Sequence, residues 1–431
     1  MYEPKKPRKG LAALCAALAA ATAGLPTTAA AQDTGESAFR RDRNVSVQTR
    51  PRPEYEARGI RRGAFVWRPA LRTSLAYSDN VFAAETDEAS DGILVVQPEL
   101  RVLSDWRAHE VQAFARLLHE EFFDNSGEST TGYATGASGR LDASRAVQLR
   151  ASATHQRGFE RRSAVGASRV SQKPIAFDRS ELSLGATREV GRVRLAVDGT
   201  LSDSDFDDAR GEEGARIDQD FRDQRALGIV GRADYAVTPD TALFAQLGYA
   251  DVSHDQTPLG GVSRDRDTWT ARIGADFELS ALLRGQLAAG YFNTAYTAGA
   301  FADVDGFGFD GALEWFATPL ITVSATAERG TRSSELLLSP STTLTRVGAR
   351  VDYEYRRNII LSAGLDAADD AYDFIDRDDT RRDAFVSGLL LMNPKLGLEA
   401  QLSRRSLDSD GALAQGDFSE TRILFGLRWQ I

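Results

Sequence analysis

Thr421-Arg422-Ile423-Leu424-Phe425-Gly426-Leu427-Arg428-Trp429-Gln430-Ile431 is the last stretch of the sequence. Ile423, Phe425, Leu427, Trp429 and Ile431 fall on one face of an extended chain. Arg422, Gly426, Arg428 and Gln430 fall on the other, with Leu424 as the exception. Period two is the signature of a strand, because successive side chains leave a pleated backbone on opposite sides. One face suits lipid and the other suits water. Ending on such a strand, with an aromatic near its end, predicts a barrel wall that closes onto its own first strand.

The same alternation holds from about Phe65. Trp269, Ala271, Ile273, Ala275, Phe277 and Leu279 stand against Thr270, Arg272, Gly274, Asp276 and Glu278. Val347, Ala349, Val351, Tyr353 and Tyr355 stand against Arg346, Arg350, Asp352 and Glu354. Pro98 is out of place in its run, since it cannot donate to a ladder. Short connections fall near 104–107, 144–146, 189–191, 238–240, 280–283, 318–319, 356–358 and 393–395. Longer polar ones fall near 79–92, 124–131, 158–174, 203–222, 254–267, 297–305, 330–341, 369–380 and 405–417. Tight periplasmic turns and long outer loops produce this asymmetry. The expected fold is all-β: a transmembrane antiparallel up-and-down β-barrel over 65–431, with about 18 strands (16–18). With the first strand running outward, Tyr77, Tyr133, Tyr249 and Trp269 land near the outer rim. Tyr235, Trp315, Tyr353 and Trp429 land near the inner rim. Amphipathic rings settle at both membrane interfaces. A soluble sandwich would bury the apolar face between layers about 10 Å apart, and it leaves the two aromatic girdles unexplained.

Composition fits a barrel of this size. The 431 residues are 42% hydrophobic, yet no apolar run reaches the ~18 residues of a spanning helix. A net charge of -10 lacks the basic footprint of a nucleic-acid partner. Residues 1–31 read as a signal peptide. Lys5, Lys6, Arg8 and Lys9 form its basic start, Leu11 to Leu25 its apolar core, and Ala29-Ala30-Ala31 its cleavage site. The single cysteine, Cys15, falls inside it, so the mature chain is expected to hold no disulfide or thiolate metal site. Residues 32–64 are polar and Arg-rich, carry Pro51 and Pro53, and predict a short, disordered periplasmic segment.

In a barrel the polar face lines a wet interior. The candidate pore-lining residues are Arg194, Asp198, Arg232, Asp234, Arg272, Asp276, Glu278, Glu314, Arg350, Asp352, Glu354 and Arg428. They form either a polar path for hydrated solute or ion pairs that satisfy one another across the wall. Mixed signs leave anion and cation selectivity both open. The acidic stretch from Asp203 to Asp220 starts like a calcium loop, but Asp208 stands where glycine is needed and Gly214 where glutamate is needed. It reads as a solvated acidic loop. His109, His119, His155 and His254 make no metal-ligand or nucleophile pattern. No catalytic, cofactor-binding or metal-binding residue is expected.

Several motifs resemble those of the putative β-barrel porin 2 family. They are Tyr77-Ser78-Asp79-Asn80-Val81-Phe82, Gln97-Pro98-Glu99-Leu100, Tyr235-Ala236-Val237-Thr238-Pro239, Gly290-Tyr291-Phe292, and Trp315-Phe316-Ala317-Thr318-Pro319 followed by Arg329. The resemblance covers roughly 65–431 and implies an outer-membrane barrel, often linked to export of capsular or extracellular polysaccharide. It transfers no catalytic residues. The expected partners are outer-membrane lipid and, through the resemblance, polysaccharide and periplasmic export machinery. Three functions follow as expectations: a passive conduit for polysaccharide export, a general or solute-selective porin, and a structural or adhesive barrel with a plugged lumen.

Overall fold

The computed structural model describes residues 44–167, 170–211, 214–257 and 261–431. The expected signal peptide and residues 32–43 lie outside them. The strands are Phe65–Ser78 (β1), Asp91–Ser104 (β2), Glu110–Phe122 (β3), Thr130–Asp142 (β4), Val147–Phe159 (β5) and Ala176–Val190 (β6). Then come Val193–Phe206 (β7), Gln224–Thr238 (β8), Thr241–His254 (β9), Arg266–Leu279 (β10), Leu283–Tyr296 (β11) and Val304–Thr318 (β12). Ile321–Ser333 (β13), Ser341–Arg356 (β14), Ile359–Tyr372 (β15), Asp378–Leu391 (β16), Leu396–Asp410 (β17) and Phe418–Gln430 (β18) complete the wall. They belong to one 19-stranded sheet whose remaining member, the three-residue Ile60–Arg62, folds back onto Phe65–Trp67. That leaves eighteen wall strands. Each pairs antiparallel with the next, and β1 pairs with β18 from Ala70↔Gln430 to Ser78↔Arg422. The ring is closed, which removes every sheet edge from the bilayer.

Alternation fixes which face is which. Val197, Leu247, Ile273, Leu365 and Phe425 are 55–72% exposed, on one face of their strands. Water would not tolerate so continuous an apolar surface, and a bilayer requires it. Tyr77, Tyr133, Tyr235, Trp315 and Trp429 share this face, and Tyr249 packs on Trp269 with ring centroids 4.7 Å apart. The other face points inward, as contacts between non-adjacent strands prove. Arg232 on β8 donates to Gln286 on β11 at 2.9 Å, and Arg422 on β18 meets Glu120 on β3 at 3.0 Å.

Turns at one end have two to five residues, and connections at the other have five to seventeen. Register shifts sit at the short-turn ends of β8, β12 and β14, between Ala236 and Thr238, Trp315 and Thr318, and Glu354 and Arg356. Each bulge adds twist just before a two-residue turn. Pro98 lies inside β2, and the β2–β3 ladder passes over it, from Val96↔His119 to Glu99↔Arg116. The acidic stretch begins later than expected. Asp203 and Asp205 belong to β7, because alternation continues to Phe206.

Candidate functional site

All twelve predicted lining residues occupy inward positions, and the structure pairs many of them. Arg232 meets Asp234 at 2.7 Å and lies 4.0 Å from Asp276. Asp198 accepts from Arg150 at 3.1 Å, Arg350 meets Asp352 at 2.9 Å, and Glu314 pairs with Arg284. Guanidiniums also stack on inward rings, with Arg232 over Phe244 at 3.6 Å and Arg284 over Phe316 at 4.9 Å. Arg194, Arg272, Glu278 and Arg428 lie on the same face. The wall is thus a mosaic of charge pairs along one cylinder, in which one partner is often buried, as Asp234 and Asp352 are.

The short-turn mouth carries a feature the sequence reading missed. Residues 44–57, expected to be disordered, run along the inner rim from β11 toward β18. Arg284 donates to the Asn44 carbonyl at 3.2 Å, and the Val47 N–H donates to Thr322 Oγ1 at 3.0 Å. Gln48 reaches Asp352 at 2.6 Å and Ser362 at 3.2 Å. Arg50 and Arg52 converge on Glu354 at 2.8 and 3.0 Å. Glu54 pairs with Arg357 at 2.7 Å, and Gln430 donates to the Tyr55 carbonyl at 3.3 Å. Val47 is 1% exposed and Arg52 6%. Burial, the largest influence, lowers the Arg52 pKa below its ordinary value even against the pull of Glu354. The segment is polar and aperiodic, so it reads as disorder. Its partners are inward carboxylates some 300 residues downstream, which no local pattern reveals.

At the other mouth, the connection between β5 and β6 turns inward. Arg162 forks onto Glu128 at 2.7 and 2.9 Å and donates to Ser171 at 2.7 Å. Arg161 meets Glu120 at 2.8 Å, the carboxylate that also holds Arg422. Arg405 on β17 donates to Ser163 at 3.2 Å. Gly166, at φ +66°, lies so close to Glu335 that an added Cβ would stand 2.6 Å from the Glu335 Cβ. One connection therefore touches β3, β17 and the 334–340 loop, spanning the opening. Its hold is electrostatic. Glu120 is the larger influence on Arg161 and raises it above its ordinary value against burial.

Asp208, Asp218 and Asp220 bring carboxylate oxygens within 4.8 Å of one another. Arg216 is already ion-paired to Asp208 and Asp220, so the acidic loop supplies its own cation.

The family described as putative β-barrel porin 2 matches residues 52–431, and the chain belongs to it. Its barrel is an outer-membrane barrel. No protein of curated function matches the chain. Among solved structures, it is similar to the outer membrane protein opdK of Pseudomonas aeruginosa, with 13% identity, TM-score 0.43, and coverage of 85% of this chain and 99% of that one. It is also similar to Pseudomonas aeruginosa OpdO, with 15% identity, TM-score 0.44, and coverage of 85% and 97%. A BenF-like porin from Pseudomonas fluorescens Pf-5 matches with 12% identity, TM-score 0.43, and coverage of 85% and 99%.

Proposed function

We propose that this member of the β-barrel porin 2 family is a passive channel that lets small hydrated solutes cross the outer membrane. The observation that carries the reading is an inner face rich in charged and hydroxylic side chains inside a ring of eighteen strands, interrupted by an apolar patch of Ala76, Ile93, Val95 and Leu424. A ring of 16–18 strands is wide enough to leave an aqueous path. Short turns face the periplasm and long loops face outside in such barrels. The 44–57 segment then lies in the periplasmic mouth, and the β5–β6 connection lies across the outer one. Both reduce the cross-section, which favours a solute-selective channel over a wide general pore. Export of polysaccharide rests on the family resemblance alone, and no geometry in the lumen speaks for it.

The test is a planar bilayer holding the purified, folded barrel and nothing else. Stable conductance steps in potassium chloride are expected. A silent bilayer, with folding confirmed by heat-shifted gel mobility, would overturn the channel reading and leave the structural or adhesive barrel. Conductance that appears only with periplasmic export components would favour the conduit.

A further inference from the structure

The short-turn end of the wall carries four exposed arginines that the fold leaves without a counter-ion. Arg107 lies in the β2–β3 turn, Arg145 in the β4–β5 turn, Arg192 in the β6–β7 turn, and Arg188 two residues before the end of β6. None of the four side chains takes part in an ion pair or hydrogen bond among the described residues. The turns adjoin one another. The Asp142 N–H donates to His109 Nδ1 at 3.3 Å, and the Glu189 N–H donates to the Ala146 carbonyl at 2.9 Å. The guanidiniums therefore share one arc of the rim, from β2 to β7. The carboxylates of that arc are engaged elsewhere. Arg61 holds Asp105, Arg140 lies 3.5 Å from both Glu110 and Asp142, and Glu189 stands opposite Arg194 on the inner face. Apolar side chains flank the same arginines. Arg188 stands opposite Leu195 on β7 and Val147 on β5, on the face that meets hydrocarbon, with Val190 and Val193 57% and 39% exposed beyond it. Trp106, beside Arg107, is 41% exposed and packs edge-on against Phe65 at 5.7 Å. At the long-loop end of β5 and β8 the outward arginines are already satisfied, Arg157 by Asp178 and Asp207, and Arg225 by Asp203.

We propose that this arc is a docking surface for anionic phospholipid, on which Arg107, Arg145, Arg188 and Arg192 hold the phosphodiester headgroups of the leaflet at the short-turn end. The partner must offer an anion and hydrocarbon at once. Arg188 emerges between apolar side chains that lie in the bilayer, so an acidic protein could not reach it without displacing lipid. A guanidinium in that place keeps its stem on the apolar wall and its charge at the headgroups. Phosphate oxygens accept its forked hydrogen bonds. Each arginine near a negatively charged leaflet contributes about a fivefold preference. Binding of this kind needs only the bilayer that the barrel spans, whether or not the lumen conducts.

The test is urea unfolding of the folded chain in two kinds of vesicle with the same acyl chains, pure phosphatidylcholine and an equal mixture of phosphatidylcholine and phosphatidylglycerol. Arg107→Gln/Arg145→Gln/Arg188→Gln/Arg192→Gln should unfold like the parent protein in phosphatidylcholine. In the mixed vesicles its unfolding constant should exceed the parent's by about fivefold per arginine, and the excess should shrink in high salt. Comparing the change between lipids removes the effect of the acidic long-loop end, which is the same in both proteins. The pairs Arg107→Gln/Arg145→Gln and Arg188→Gln/Arg192→Gln read the same coupling in halves, so the comparison stands even if the fourfold variant does not refold. A loss of equal size in both lipids would assign the arginines to the fold alone. No loss in the mixed vesicles would leave the arc to an acidic soluble protein. Either result overturns the proposal. So does inorganic phosphate in phosphatidylcholine vesicles at matched ionic strength, if it stabilises the parent over the variant as strongly, since the free ion would then be the ligand.

Discussion

Glu354→Gln should release the segment that lines the short-turn mouth. The side chain is 4% exposed and receives Arg50 at 2.8 Å and Arg52 at 3.0 Å, with Arg357 at 3.6 Å. Glutamine keeps the shape and removes the charge, so Arg52 is left buried without its counter-ion. Breaking a buried pair in this way costs ~3–5 kcal/mol. Arg50 is 22% exposed, so the mouth is partly wet and the lower end of that range applies. About 3 kcal/mol raises the population of the open segment roughly a hundredfold. Hydrogen exchange reads that population directly. The Val47 amide, bonded to Thr322, and the Arg50 amide, bonded to the Ser46 carbonyl, should exchange about two orders of magnitude faster, while wall amides keep their protection. Arg52→Gln in the same chain should restore much of the loss, since it removes the stranded charge. Exchange at Val47 and Arg50 within twofold of the parent protein would refute the reasoning, because the two arginines would then not be what holds the segment.

Three other perturbations address the wall and an outer loop. Ile273→Arg, at a mid-strand position 72% exposed on the outer face, should lower the stability of the refolded barrel in lipid vesicles by ~2–4 kcal/mol, measured by urea titration. An unchanged midpoint would mean that this face does not meet lipid. Gly290→Ala drives a Cβ into the Ala271 carbonyl oxygen, so it should abolish the folded, heat-shifted gel band unless β10 and β11 part. Asp223 in the β7–β8 loop has its pKa raised to about 6, first by burial and then by Asp205, Asp220 and Asp255. A raised carboxyl pKa stabilises the folded loop fully below about pH 4 and loses that contribution as pH rises through about 6. The loss is no more than about 3 kcal/mol. Proteolysis of the 207–223 loop should therefore accelerate from pH 4.5 to 7, and Asp223→Asn should flatten the profile.

The wall was legible because barrel strands carry their own orientation. Trp269 to Leu279 names its outer face without reference to any neighbour, and closure follows once both ends of the chain show the same alternation. The two mouths were not legible, for a different reason in each case. Gln48 and Arg50 are spaced two apart, as are their acceptors Asp352 and Glu354, but over 300 residues separate them in sequence. Only the register of β14 brings them together. Arg161 and Arg162 sit in a stretch without period, and their partners Glu120 and Glu128 read as one strand residue and one loop residue. Which rim arginines lack a carboxylate depends on how the turns adjoin, which alternation alone does not supply. Asp203 and Asp205 were assigned to a loop because an acidic run outweighed the alternation passing through it.

The join between β1 and β18 holds nine residue pairs, Ala70↔Gln430 to Ser78↔Arg422, whereas β1 and β2 hold fourteen, Phe65↔Ser104 to Ser78↔Asp91. It is the shorter of the two zippers, and its halves are the most distant in sequence. Its pairing therefore carries the largest loop-closure cost in the ring. Losing residues 428–430 would strip the rungs at the short-turn end of this join, and each amide left unpaired in hydrocarbon costs several kcal/mol. A break within β18 thus opens the ring, whereas a cut in a long loop leaves every rung in place.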